Sequence, residues 1–358
     1  MGKKLCLLLA VLFTFAAFSS CGYEVVKSHE ASPILTQTKV VLDSLPTERA
    51  EYADFFTIAR PVFFTPGLLE DLIPQGLCYS PDEELVIISG YYMQSAFPSR
   101  LALIDNRSGE LISSVGLKDT SGEAFYGHVG GIACSENTIF ITCESEAYFI
   151  SLYSLKKAEN NSEISFEGKF KLGTRGSFAN YEEGILWTGD FVENKKSELE
   201  NAPHIVTLPS GETLYARCEG YKLSGGLPDE KRRTKNEEGY VPHCFLAIPT
   251  QTQGMARMAD GRFVFSLSYG RKNDSKIAVY EDIFLKNAYK KIQLDGFSVP
   301  LYCFTEDTML KEFNAIPMSQ GMDRVKDKLF LLFESGADFY RNGGGRFPTD
   351  YVFELEIS

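Results

Sequence analysis

Short apolar runs recur along the chain, each following a glycine-containing triplet and a polar turn. Gln75-Gly76-Leu77 precedes Leu85-Val86-Ile87-Ile88-Ser89, and Gly130-Gly131-Ile132 precedes Ile139-Phe140-Ile141-Thr142-Cys143-Glu144. Gln253-Gly254-Met255 precedes Phe263-Val264-Phe265-Ser266-Leu267-Ser268, and Gln320-Gly321-Met322 precedes Leu329-Phe330-Leu331-Leu332-Phe333-Glu334. A weaker copy runs from Gly176-Ser177-Phe178 to Ile185-Leu186-Trp187-Thr188-Gly189-Asp190. Gly76 to Ser89, Gly131 to Glu144, Ser177 to Asp190 and Gly321 to Glu334 each span 13 residues, and Gly254 to Ser268 spans 14. Apolar runs of this length bounded by Ser/Pro/Asp/Asn/Gly turns are hairpins. Further strand-like segments follow some copies, at 100–105, 111–115 and 275–280.

A hairpin extended by two more strands and repeated along the chain predicts an all-β fold, a β-propeller of four-stranded antiparallel blades. The copies predict five blades. The long stretch 191–245 leaves six as the alternative, with 223–239 as a surface excursion. A β-sandwich would not require equally spaced copies. Closure of the disc is expected from strands near both chain ends, 55–64 and 351–357.

The amino terminus departs from this pattern. Lys3 and Lys4 precede an apolar run, 5–18, and then Ser19-Ser20-Cys21-Gly22. The run is short for a bilayer span, which takes about 20 residues. With its basic flank and small residues it reads as a secretory signal peptide, 1–20. The segment Phe18-Ser19-Ser20-Cys21 resembles a bacterial lipobox, which implies lipidation of Cys21 and an exported protein anchored to the cell membrane by its amino terminus. Residues 21–50 read as a tether and 51–358 as one propeller domain.

The chain of 358 residues carries 36 basic and 48 acidic side chains, a formal net charge of −12. That balance excludes the basic footprint of a nucleic-acid binder. Export would permit disulfides among Cys78, Cys134, Cys143, Cys218, Cys244 and Cys303, for which 15 connectivities exist; buried free thiols are the other reading. A turn at Glu136-Asn137 would set Cys134 opposite Ile139 and not opposite Cys143.

In propeller geometry the starts of inner strands and the ends of second strands share one face of the disc. Gln75, His128, Gln253 and Gln320 would therefore meet Ser89, Glu144, Asp190, Ser268 and Glu334 at one channel mouth. Glycine beside each glutamine suits inner strands crowded at an axis. Glu144, Asp190 and Glu334 would repel unless protonated or bridged by a cation, and their oxygens suit Ca²⁺ or Mg²⁺. His128 is a candidate base or ligand. Tyr91, Tyr92, Tyr269, Arg271 and Arg175 on the same face could receive a sugar ring or an anion. The glycine run 343–345 lacks a strand–helix context and reads as a turn.

The Gln-Gly-Met strand, the Ser-Leu-Ser-Tyr-Gly limb and the Phe-Glu-Ser-Gly-Ala limb resemble those of uncharacterised exported bacterial propellers, from about residue 54 onward. More distantly the layout is similar to gluconolactonase and strictosidine-synthase-like propellers. That resemblance implies the architecture and, in some members, a divalent cation at the mouth. Their metal-ligand pattern is not matched here residue by residue. The expected function is an anchored cell-envelope propeller that binds a small molecule, glycan or envelope protein at the mouth. The alternatives are a divalent-metal-dependent hydrolase of lactonase or esterase type, with His128 as base, and a protein-interaction scaffold.

Overall fold

A computed structural model of the protein describes residues 31–193 and 205–357. The leader 1–20, Cys21 and His204 lie outside the described residues. Each repeat copy forms the expected hairpin. Leu72–Ser80 pairs with Leu85–Tyr92, Gly131–Cys134 with Thr138–Cys143, and Phe178–Glu182 with Ile185–Gly189. Thr252–Arg257 pairs with Phe263–Leu267, and Ser319–Val325 with Lys328–Phe333. Cys134 stands opposite Ile139.

Two outer strands continue each hairpin. They are Arg100–Asp105 and Leu111–Lys118, Glu146–Ser151 and Gly168–Lys171, Ala216–Ser224 and Cys244–Ile248, and Ser275–Tyr280 and Met309–Ala315. The last sheet adds Tyr351–Leu355 and then Ala59–Phe64, so both ends of the propeller region lie in one sheet. The innermost strands pack side by side in chain order, and the last of them, Ser319–Val325, packs on the first, Leu72–Ser80. The chain folds as a β-propeller.

The apolar core lies between neighbouring sheets. Ile87, Leu101 and Leu103 of the first sheet pack on Ile132, Ile139 and Ile141 of the next. Ala133, Phe140 and Ala147 meet Ala179, Leu186 and Tyr221. Trp187 and Cys218 meet Met255 and Phe265; Val264 and Ile277 meet Met322 and Leu331. Phe330 and Leu332 return to Val86 and Ile88. Both faces of most strands are therefore covered, and the runs read as continuously apolar instead of alternating.

Glycines set how closely the inner strands approach. A Cβ on Gly131 would lie 2.5 Å from Ala179 N, and one on Gly254 would lie 2.8 Å from Gln320 O. On Gly321 it would lie 2.8 Å from Leu77 N, and on Gly76 it would lie 3.0 Å from Ile132 N. These are backbone contacts between neighbouring inner strands around the axis of the disc, and no side chain fits them.

Four expectations change. Residues 55–58 belong to the short helix Ala53–Ile58, and the closing strand starts at Ala59. The tether expected over 21–50 is docked where it is described. The Gln37 side chain bonds Phe64 O, Gly109 O and Leu111 N, the Asp350 carboxylate accepts from Val40 N and Val41 N, and Leu35 and Val41 are buried. Residues 205–245 supply the outer strands of the third sheet and a small hairpin, Val206–Thr207 with Thr213–Leu214, and no separate sheet of propeller size among the described residues. Tyr92 is buried against Phe97 and does not face the mouth. The six described cysteines are free and buried.

Candidate functional site at the channel mouth

The three glutamines of the repeat are bulge residues. Strand register shifts between Pro74 and Gly76, between Thr252 and Gly254, and between Ser319 and Met322. Gln75, Gln253 and Gln320 fall within those shifts. A bulge inserts a residue that the ladder does not pair, bends the strand and re-aims a side chain. The following glycine permits the close approach described above. Thus Gln-Gly is one device: an aimed carboxamide beside a tight backbone contact.

Two of these carboxamides converge on Glu334, which directly follows Lys328–Phe333. Gln75 Nε2 donates to Glu334 Oε2 at 2.7 Å and to Pro74 O at 3.0 Å. Gln320 and the Tyr340 hydroxyl also hydrogen-bond the Glu334 carboxylate. Burial raises the Glu334 carboxyl to about 7, opposed by those three bonds and by the positive charge of Arg271. It is an acid that titrates near neutrality while held in one orientation. Gln253 is half-buried and does not join this cluster through any hydrogen bond in the structure.

An aromatic wall surrounds it. The Tyr91 ring packs on His128 with centroids 4.4 Å apart. The Tyr91 and Tyr340 hydroxyls are hydrogen-bonded to each other, and burial pushes both phenols up. His128 is exposed at the mouth, and the protein crowded around it lowers its pKa. Tyr269 and Phe339 are 40% and 41% exposed. Tyr269 leans on Phe191, with centroids 6.4 Å apart. The Arg271 guanidinium lies over Phe339 at 4.5 Å and over Tyr340 at 5.0 Å.

Glu144, Asp190 and Glu334 do not form the expected trio. Glu144 and Ser145 both have positive φ, 50° and 66°, and make the two-residue turn into Glu146–Ser151, which leaves Glu144 exposed. Asp190 is buried, accepts from Arg175 N at 2.5 Å and lies 3.5 Å from Arg217 Nε. Its pKa is raised by burial against the pull of those partners. Among the described residues no group of three His, Cys, Asp or Glu side chains could hold a metal ion. The equal spacing misled because the hairpin turns differ in length: Gly76 pairs with Ser89, Gly131 with Thr142, and Gly254 with Ser266. The residues in structural register are hydroxyls. The Ser89 hydroxyl donates to Val129 O, the Thr142 hydroxyl donates to Gly176 O, and those of Ser266 and Ser319 bond each other. They clip neighbouring sheets together.

Two groups of this channel were not read from the sequence. Phe339 and Tyr340 belong to the short helix Asp338–Arg341, which folds over the mouth ahead of the glycine run. Their aromatic pair beside three glycines was the available signal. Asp323 is buried at the other end of the channel. It accepts from Asn180 Nδ2, Tyr79 N and Arg324 N, each at 2.8 Å, and burial raises it to about 7. A carboxylate inside the inner strand Ser319–Val325, directly after Gln-Gly-Met, was its signal. Tyr79, Tyr181, Cys134, Asp323 and Arg324 line a cavity of about 220 Å³ there.

No protein-family model matches the chain, and no curated protein matches its sequence. Solved structures similar to it include Myxococcus xanthus glutaminyl cyclase, at 9% identity and TM-score 0.44, covering 84% of this chain and 97% of that one. The PQQ-bound aldose sugar dehydrogenase of Streptomyces coelicolor is 14% identical with TM-score 0.44, covering 84% and 98%. The β-propeller domain of Myceliophthora thermophila Cps50 (Swd1) is 7% identical with TM-score 0.35, covering 80% and 97%. At such identities no residue role carries across.

Proposed function

We propose that the chain is an exported lipoprotein whose five-bladed propeller binds a glycan or similar polyhydroxylated small molecule at its channel mouth. The observation that carries this reading is Glu334, held by Gln75, Gln320 and Tyr340 beneath exposed aromatic rings. Hydroxyl groups need donors and acceptors in fixed positions, which carboxamides, a carboxyl and phenols supply. Sugar C–H faces need flat apolar surface, which Tyr269 and Phe339 offer. Calorimetry of the detergent-solubilised full chain against an oligosaccharide panel tests the reading. Binding by the wild type and its loss by tenfold or more in Glu334→Ala is expected; no heat from any saccharide would refute it.

The anchor is a separate element of the proposal. Cys21→Ser is expected to move the protein from the detergent-rich to the aqueous phase on phase partition, since acyl chains supply about 0.8 kcal/mol per buried CH₂. Retention of the variant in the detergent phase would contradict lipidation at Cys21. The Ca²⁺- or Mg²⁺-dependent hydrolase reading finds no support in the separated positions of Glu144, Asp190 and Glu334.

A further inference from the structure

We infer that the mouth selects acidic sugars, with Arg271 receiving the ligand carboxylate. The inference rests on the glycan reading of the same site and adds the class of glycan. Arg271 differs from most of the described arginines. Arg217, Arg257, Arg324, Arg341 and Arg346 each face an acidic side chain in an ion pair. No acidic side chain stands within ion-pair distance of Arg271 among the described residues. Its partners are two ring faces and one backbone carbonyl: Nη1 donates to Gly343 O at 3.2 Å.

The surrounding chain is shaped to hold the guanidinium there. A Cβ on Gly343 would lie 2.2 Å from Phe339 O and 2.9 Å from Arg271 Nη1, so a glycine there lets the covering loop close on both the helix backbone and the guanidinium. Arg346 N donates to Arg271 O at 3.0 Å and ties the covering loop to the loop that carries Arg271. A guanidinium stacked on aromatic faces has already lost its rotamer freedom and keeps N–H donors at its edge. That is the arrangement that takes a carboxylate through two parallel bonds. The neighbouring Glu334 does not pair with it; its oxygens are engaged by Gln75, Gln320 and Tyr340. A ligand with hydroxyls for the amide–carboxyl cluster and a carboxylate for Arg271 would satisfy both halves of the mouth. A uronic acid is the simplest sugar of this class.

The test is calorimetry on the full chain in detergent with an oligogalacturonate and the matching neutral galacto-oligosaccharide. The wild type should bind the uronate at least tenfold more tightly, and added NaCl should weaken only that ligand. Arg271→Gln should lower uronate affinity by tenfold or more and abolish its NaCl dependence, bringing it to within a few-fold of the neutral sugar's affinity for the same variant. Arg271→Lys should restore part of the difference, because a point charge lacks the two-pronged donor. Equal affinity of the wild type for both sugars, or a uronate preference that survives Arg271→Gln, overturns the inference and leaves the glycan reading standing. Binding of neither sugar by a protein that binds another neutral saccharide of the panel overturns the inference alone; no binding of any saccharide overturns both.

Discussion

Gly131→Val should be among the most destabilising single substitutions in this chain, lowering the free energy of unfolding by about 3 kcal/mol or more. Gly131 opens an inner strand, and even one added carbon would sit 2.3 Å from Thr142 Oγ1 and 2.5 Å from Ala179 N and Phe178 C. Two of those atoms are backbone of the next inner strand, which its own hairpin and the strand beyond it hold in place. Relief would require moving one sheet away from another and opening the apolar layer of Phe140, Ala179 and Leu186. Gly116 is the control: a Cβ there meets Glu163 Cγ at 3.4 Å and Ser162 O at 3.9 Å, both ordinary contacts, and Gly116→Ala should change stability by under about 1 kcal/mol. Urea unfolding of both variants checks the pair. A mild Gly131→Val would contradict the tight axial packing.

The second large effect is on pH dependence. The Asp323 carboxyl titrates at about 7 in the folded protein against an ordinary value of 3.8, because it is buried among the inner strands. A carboxyl with a raised folded pKa favours the folded state while that state alone keeps the proton. The benefit is complete below about 3.8 and is lost as pH rises through about 7. Glu334 acts in the same sense between 4.5 and about 7. His243 acts in the opposite sense, since its pKa is lowered to about 4 and it penalises the fold as pH falls below 6.5. Asp323→Asn isolates the first contribution. It adds a constant cost, because an amide group cannot accept from all of Asn180, Tyr79 N and Arg324 N, and it removes the titration. The stability gap between wild type and variant should narrow by about 3 kcal/mol between pH 5 and pH 8. A gap that does not change with pH would show that Asp323 keeps an ordinary carboxylate pKa.

The hairpins were legible because each inner strand carries its own punctuation: a glycine forced by the axis, an apolar run buried on both faces, and a polar turn. Gln75 and Gln320 were legible for the same reason, since the bulge that aims them requires the glycine beside them. What equal spacing could not reveal was register. Hairpin turns of different length placed Ser89, Thr142 and Ser266 in equivalent positions and moved Glu144 into a turn. Partners distant along the chain were equally hidden. Arg217 neutralises Asp190, the Asn180 side chain reaches Asp323 across 143 positions, and Tyr340 comes to Glu334 only because its loop folds back over the mouth. The amino-terminal segment misled for a related reason. Its polar composition suited a free tether, yet Gln37 and the backbone of Val40 and Val41 find partners on the propeller surface.

Glu334, fixed by two bulge glutamines, is proposed here as the floor of a ligand site. A crystal structure of the protein grown with a saturating oligogalacturonate tests it most directly. A sugar ring is expected in the mouth, with a hydroxyl within about 3.2 Å of a Glu334 oxygen and its carboxylate on Arg271. A saccharide bound elsewhere on the disc, with the Glu334–Gln75 bond exposed to solvent in an empty mouth, would contradict it.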